Sequence, residues 1–286
     1  MVSPRDTDRA LLANRRPWTA PNLREPRFSQ SLARGMAILT CFTAQRPIMG
    51  ISDLAEELEM SRSTTHRYVC TLAALGYLEQ STSRKYRLGL RVTDLGITAM
   101  SATGLREHAR PFLQELRQRT GYTSALAILD GAEIIYVERL LGAQRIRGRD
   151  ELDLRPGSRL PAYCTAMGKV LLAHVPANGH RQVLADESLQ KRGPNTITSK
   201  KALQHELDEV VAAGFAVNDE ELAAELLAIA APVRNGGGDI VAAVGLSANS
   251  CVIELSALVD ALEPHLVPMA DLVSARLGYR QTGERH

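Results

Sequence analysis

Between residues 61 and 80 the chain reads SRSTTHRYVCTLAALGYLEQ, and its polar groups suit a partner that carries both negative charge and hydrogen-bonding edges. Ser61, Arg62, Ser63, Thr64, His66 and Arg67 bring hydroxyl, imidazole and guanidinium groups together. Guanidinium forks match phosphate oxygens and purine edges, and hydroxyls can serve either. Shortly afterwards Arg84 and Lys85 add two adjacent cations suited to phosphate. A different chemistry is offered by LPAYCTAMGKVLLA at residues 160–173. With Thr165 as the N-cap of a helix, the amides of Ala166, Met167 and Gly168 would be free to bind a carboxylate.

Groups of the first kind act together only if one element holds them on one side. On a helix, Thr65, Val69 and Leu72 share a face that must be buried, which turns Ser63, His66, Arg67 and Cys70 outward with Arg62 at the flank. Charged outer faces are also the ordinary condition of surface helices, so the neighbouring segments decide. Leu32, Met36, Leu39 and Phe42 recur at helical spacing and predict a first helix ending before Arg46-Pro47. Ser52 is expected to cap a second helix with Ile51, Leu54, Ala55 and Leu58 inward, and Glu59-Met60 then makes the turn into Ser61. Gly76 ends the third helix as a C′ glycine would.

Residues 77–80 and 86–88 read as short strands around a polar, basic loop, which is a wing. A winged helix-turn-helix presents its third helix to the major groove. Ser63, His66 and Arg67 are then placed for bases, and Arg62, Arg84 and Lys85 for phosphates.

Charge and length agree. Residues 1–90 hold 13 Lys/Arg against 8 Asp/Glu, and the remainder holds 21 against 24, so a basic head precedes a mildly acidic body. A chain of 286 residues, 45% apolar, can bury two cores. No apolar run approaches a spanning helix and the N-terminus lacks a signal-peptide core, so a soluble, cytoplasmic protein without membrane contact is expected. Cys41, Cys70, Cys164 and Cys251 are widely separated and read as small apolar residues, not as a disulfide or zinc framework. Residues 1–27, rich in Arg, Pro and Asn, are expected to be disordered.

The runs SLARGMAILTCF at 31–42, ISDLAEELEMSRSTTHRYVCTLAALGYLEQ at 51–80 and KYRLGLRVTDLG at 85–96 together resemble the DNA-binding half of the IclR family of bacterial transcriptional regulators. The resemblance implies a winged helix-turn-helix domain at 28–90, a linker helix at 91–104 and a GAF-like effector-binding domain at 105–280. Double-stranded DNA, a small-molecule effector and a second copy of the chain are the implied partners, as a homodimer or a dimer of dimers.

Beyond the wing, Thr93 is expected to cap a helix through Leu95, Ile97 and Met100. A second helix runs over 105–119, with Gly104 as the break between them. Strands are predicted at 123–129 and 133–140 around Asp130-Gly131, a hairpin signal, and at 215–217, 229–233 and 240–246. Helices are predicted from Thr165 through Ala173, over 200–213 ending at Gly214, and over 253–277. The loop at 142–157 carries Arg145, Arg147 and Arg149. Hairpins with intervening helices make an α+β domain on a mainly antiparallel sheet.

The resemblance also assigns an effector site. Thr165, Ala166, Met167 and Gly168 resemble the family's Thr-Ala-x-Gly-Lys segment, whose backbone contributes to ligand binding. In GFAVNDEE, Asn218 stands where some members place a pocket aspartate, so an acidic contact would fall to Asp219. In GLSANS, which begins at Gly245, Ser247 matches a ligand-facing serine. Ala228 stands where some relatives carry a cysteine, which suggests a different effector, and the family's effectors are often small carboxylates or aromatic-degradation intermediates. Each residue also has a purely structural reading: Thr165 as a cap, Asp219 as a lysine partner, Ser247 as a strand end.

Catalytic motifs are lacking. Gly168-Lys169 is followed by Val170, so it is no phosphate loop, and Ser188 to Lys191 matches Ser-x-x-Lys without support. His66, His108, His174, His180, His205, His265 and His286 have no ligand spacing. No enzyme activity, metal or cofactor is expected. The alternatives are a hydrolase or transferase with an accessory nucleic-acid module, and an architectural DNA-binding protein without an effector.

Overall fold

A computed structural model describes residues 29–43, 46–81, 84–101, 104–143, 154–175 and 188–280. The expectations for residues 1–28, for Arg145, Arg147 and Arg149, and for His180 and His286 lie outside this set. The described residues form two units parted between Ser101 and Gly104.

The first unit runs α1 (Gln30–Thr40), β1 (Met49–Gly50), α2 (Ile51–Glu57), α3 (Arg62–Ala74), β2 (Leu78–Gln80), β3 (Lys85–Leu88) and α4 (Arg91–Ser101). Its core gathers Ile38, Phe42, Met49, Leu54, Val69, Leu72, Leu78 and Tyr86. Thr65, Val69 and Leu72 are the buried residues of α3, as their spacing requires. The helix stops in a Schellman arrangement, with the Gly76 amide donating to Ala73 and the Tyr77 amide to Leu72, and Gly76 at φ 78°. Gly89 packs against this closure: a Cβ there would lie 2.3 Å from the Gly76 carbonyl oxygen.

Two local expectations, the Ser52 and Thr93 caps, are corrected. Gly50, not Ser52, is the N-cap of α2, and Asp53 Oδ2 accepts from the Gly50 amide at 2.8 Å, so Ser52 lies inside the helix. Thr93 is interior to α4, which begins at Arg91. In α1, Leu32 and Met36 are 67% and 49% exposed, while Ala37 and Ile38 are buried. The α1 sequence carries apolar residues on two arcs, and only its last turns reach the core. The small sheet, ordered β1-β3-β2, includes a two-residue strand, β1, that the sequence reading did not anticipate.

The second unit contains α5 (Leu105–Thr120), β4 (Thr123–Asp130), β5 (Glu133–Leu140), β6 (Arg159–Pro161), α6 (Ala166–Ala173), α7 (Lys200–Ala213), β7 (Ala216–Asp219), β8 (Leu226–Arg234), β9 (Ile240–Asn249) and α8 (Leu255–Arg276). Its sheet is antiparallel throughout, ordered β6-β5-β4-β9-β8-β7. The Asp130-Gly131 signal is a two-residue turn, with Asp130 paired to Glu133 and Gly131 at φ 60°.

Strand alternation assigns the two faces of this sheet. On one, Ser124 donates from Oγ to the Leu113 carbonyl of α5 at 2.9 Å, and buried Ile229, Ala231 and Val233 of β8 meet α8. The buried stripe of α8 is Leu258, Leu262, Leu266, Met269 and Val273. The other face is built of small residues: Ala125, Ala216, Ala230 and Gly245 stand side by side on four strands. That smoothness lets α6 lie close, and a Cβ on Gly245 would be 2.9 Å from Met167 Cγ.

Candidate DNA interface and effector site

The recognition face is built outward from the α3 cap. Ser61 Oγ accepts from the Thr64 amide at 3.2 Å and contacts the Thr64 hydroxyl at 2.8 Å, so these two side chains first serve to start the helix. Thr64 is half-buried, whereas Arg62, Ser63, His66, Arg67, Cys70 and Thr71 are exposed along the outer side. His66 Nε2 lies 3.6 Å from Cys70 Sγ one turn on, and the Arg67 guanidinium sits 6.0 Å from the Tyr68 ring centroid. In the wing, Tyr86 points into the core while Lys85 and Arg87 point out.

Not every cation here is available. Arg87 is bound to Glu79 at 2.8 Å across the wing, and Arg46 to Glu57 at 2.6 Å. Arg62, Arg67, Arg84 and Lys85 are exposed and have no ion-pair partner among the described residues. Arg84 takes φ 57°, the left-handed region, at the turn that leads into β3.

The effector-site candidates fall into three places. Across four adjacent strands, Asn218 of β7 pairs with Ala228 of β8, Ala228 with Ser247 of β9, and Ser247 with Thr123 of β4. Cross-strand partners share a face, so these four form one row, two residues along from the row that holds Gly245. The N-terminus of α6 stands over this side of the sheet: Asn218 Nδ2 donates to the Cys164 carbonyl at 2.6 Å, one residue before the Thr165 cap. Thr123, which the sequence reading did not include, completes the row and accepts from the Gly142 amide at 3.0 Å.

Two expectations change. Thr165 Oγ1 accepts from the Gly168 amide at 3.1 Å, which takes Gly168 out of the set of free amides. Ala166 and Met167 are buried, and their amides have no acceptor among the described residues. Asp219, next along β7, points to the opposite side from Asn218 and accepts from Asn195 at 3.3 Å.

Beneath α6 lies a charged group that spacing gave no sign of. Lys169 is buried, and its Nζ contacts Glu206 Oε1 of α7 at 2.6 Å and Glu221 Oε1 at 2.5 Å. Burial raises the Glu221 carboxyl above the ordinary carboxylate range, against the opposing pull of Lys169. Burial likewise pushes the Cys164 thiol up to about 12, which leaves it neutral and inert. Among the described residues no cluster of His, Cys, Asp and Glu could hold a metal ion, and no helix is long and apolar enough to cross a membrane.

A winged helix-turn-helix unit followed by an antiparallel GAF-like sheet domain is the two-part build expected of an effector-linked transcriptional regulator. Comparison with known proteins makes the assignment particular. Residues 31–82 match the IclR helix-turn-helix domain, and residues 97–275 match the bacterial transcriptional regulator IclR C-terminal domain. The chain belongs to the IclR family. It is 33% identical to the Pca regulon regulatory protein of Pseudomonas putida over 78% of this chain and 75% of that one. Among solved structures, a transcriptional regulator from Rhodococcus sp. RHA1 superposes with a TM-score of 0.75 at 36% identity, covering 87% of this chain and 98% of that one. An IclR homolog from Microbacterium hydrocarbonoxydans, complexed with 4-hydroxybenzoate, superposes with a TM-score of 0.74 at 28% identity, covering 86% and 98%. These relatives are regulators, not enzymes, by name.

Proposed function

We propose that this chain is a sequence-specific DNA-binding regulator of the cytoplasm whose affinity for its operator is set by a small carboxylate. Ser63, His66 and Arg67 read bases, with Arg62, Arg84 and Lys85 on phosphates and the capping residues Ser61 and Thr64 at the helix start. In a homodimer, or a dimer of dimers, two copies of α3 would meet successive half-sites of a roughly palindromic operator. The effector shifts DNA affinity only by the difference in its own affinity for the two arrangements.

One observation carries the effector half of this reading. Asn218, the β7 member of the row with Ala228, Ser247 and Thr123, reaches the same end of α6 as the amides of Ala166 and Met167. Helix N-termini favour anions, which suits a carboxylate. The Pca regulon relative and the homolog crystallised with 4-hydroxybenzoate support aromatic-degradation acids as one source of it.

The test is a thermal-shift screen of small carboxylates and aromatic acids on the full chain, repeated with DNA from upstream of its own gene. The expected result is one acid that raises Tm and changes DNA affinity. DNA binding that no acid in the screen alters would instead favour an architectural protein and overturn the reading.

A further inference from the structure

Resting on the reading of α3 as the base-contacting helix of a two-headed assembly, we propose that Arg91 is a positioning residue that locks α3 to α4 and so makes binding sensitive to the spacing between half-sites. Arg91 is the first residue of α4, and its Nη1 donates to the carbonyl of Leu75, the C-cap of α3, at 3.0 Å. The last carbonyls of a helix have no amide donor within it, and Arg91 supplies one from outside. A cation at the start of a helix opposes that helix's dipole, whereas the same charge at the end of another helix is favoured. The position of Arg91 is thus unfavourable for α4 and favourable for α3, which places its role in the neighbouring helix.

Further contacts turn this hydrogen bond into a joint. A Cβ on Gly76 would lie 3.3 Å from Arg91 Cδ, so the arginine stem lies across the left-handed turn that closes α3. Gly89 packs on the same turn, and its amide donates to the Tyr77 carbonyl at 2.8 Å. Residues 75, 76 and 77 at the end of α3 are each met by residue 89 or 91 at the start of α4. The wing leaves and returns between these anchors, with Leu78 paired to Leu88 at its base. Rotation of α4 therefore carries α3 with it, and the angle between them sets how far apart and in what phase two copies of α3 stand. Each added base pair advances a half-site by about 3.4 Å and turns it by about 35°. A locked joint registers that change, and a loose one absorbs it.

The experiment uses the full chain and the duplex it selects from a random library, read by fluorescence anisotropy. That duplex is compared with versions that have one or two base pairs inserted or removed between the half-sites, and with a single half-site. One inserted base pair is expected to weaken the parent about tenfold, similar to a mismatched base pair. In Arg91→Ala the penalty is expected to fall to about threefold or less, with single half-site binding within about twofold of the parent. Arg91→Lys keeps a donor for the Leu75 carbonyl and should restore most of the penalty. Should Arg91→Ala fail to fold, Arg91→Met serves in its place, since it keeps the stem over Gly76 and removes the donor. An undiminished penalty in the variant overturns the positioning role. So does a loss on the single half-site as large as on the full duplex, which would place the damage in α3 itself. A salt slope lowered by about one with the penalty intact makes Arg91 a phosphate contact and also overturns it. A parent indifferent to spacing overturns the inference and leaves base reading standing, and a parent that selects no sequence overturns both.

Discussion

Lys169 Nζ lies 2.5 Å from Glu221 Oε1, and the two side chains are 1% and 6% exposed. A buried ammonium held by carboxylates from two other segments ties α6 to α7 and to the segment after β7. Removing one member of such a group strands the rest without compensation. Lys169→Met is expected to cost about 3–5 kcal/mol in chemical denaturation, and the double variant with Glu221→Leu to recover part of it. Simple additivity of the two losses would show that the pair is not coupled.

The same group sets a pH dependence. Burial holds the Glu221 carboxyl above its usual value, so the folded chain retains a proton that the unfolded chain has released. Its contribution to stability is therefore present below the ordinary carboxylate range and lost as pH rises through the raised value. Glu221→Gln should flatten unfolding free energy against pH above the ordinary carboxylate range relative to the parent chain, as read by urea titration. An unchanged slope would show that the carboxyl titrates normally.

On the DNA side, the exposed cations outside ion pairs separate into two kinds. Arg67→Ala is expected to weaken cognate binding by about 1–3 kcal/mol and random DNA far less. Lys85→Ala should weaken both and lower the salt slope by about one. Equal losses on cognate and random DNA for Arg67→Ala would remove its base-reading role, and fluorescence anisotropy across a salt series distinguishes the cases.

Gly245 lets Met167 rest on the sheet, with 2.9 Å from a built Cβ to Met167 Cγ. Gly245→Ala is expected to cost about 1–3 kcal/mol by overpacking, and Met167→Ala in the same chain should relieve it. A thermal melt of the two variants with and without the screened acid reports both stability and the seating of α6.

What the sequence revealed was what local chemistry governs. The helix over 200–213 and its closing Gly214, the strand over 133–140 and the buried face of α3 all follow from spacing and caps that lie within the element itself. What it hid depends on distance along the chain. Asn218 reaches Cys164 over 54 residues and Lys169 reaches Glu221 over 52, and no periodicity announces either meeting. The strands β1 and β6, two and three residues long, exist only because β3 and β5 pair with them. Asp219 faces away from Asn218 for the simplest reason: on a strand, one residue along is the other side.

The row Asn218, Ala228, Ser247 and Thr123 has one member on each of four strands, held in register by main-chain bonds. Side chains can therefore be exchanged there singly while the ladder beneath them stays the same. As a wall of the proposed site, such a row would be a tuning surface for heredity: one codon alters the depth or polarity at one place. Where the row lines the proposed effector site, a lineage would move from one acid to another by short steps taken within this domain.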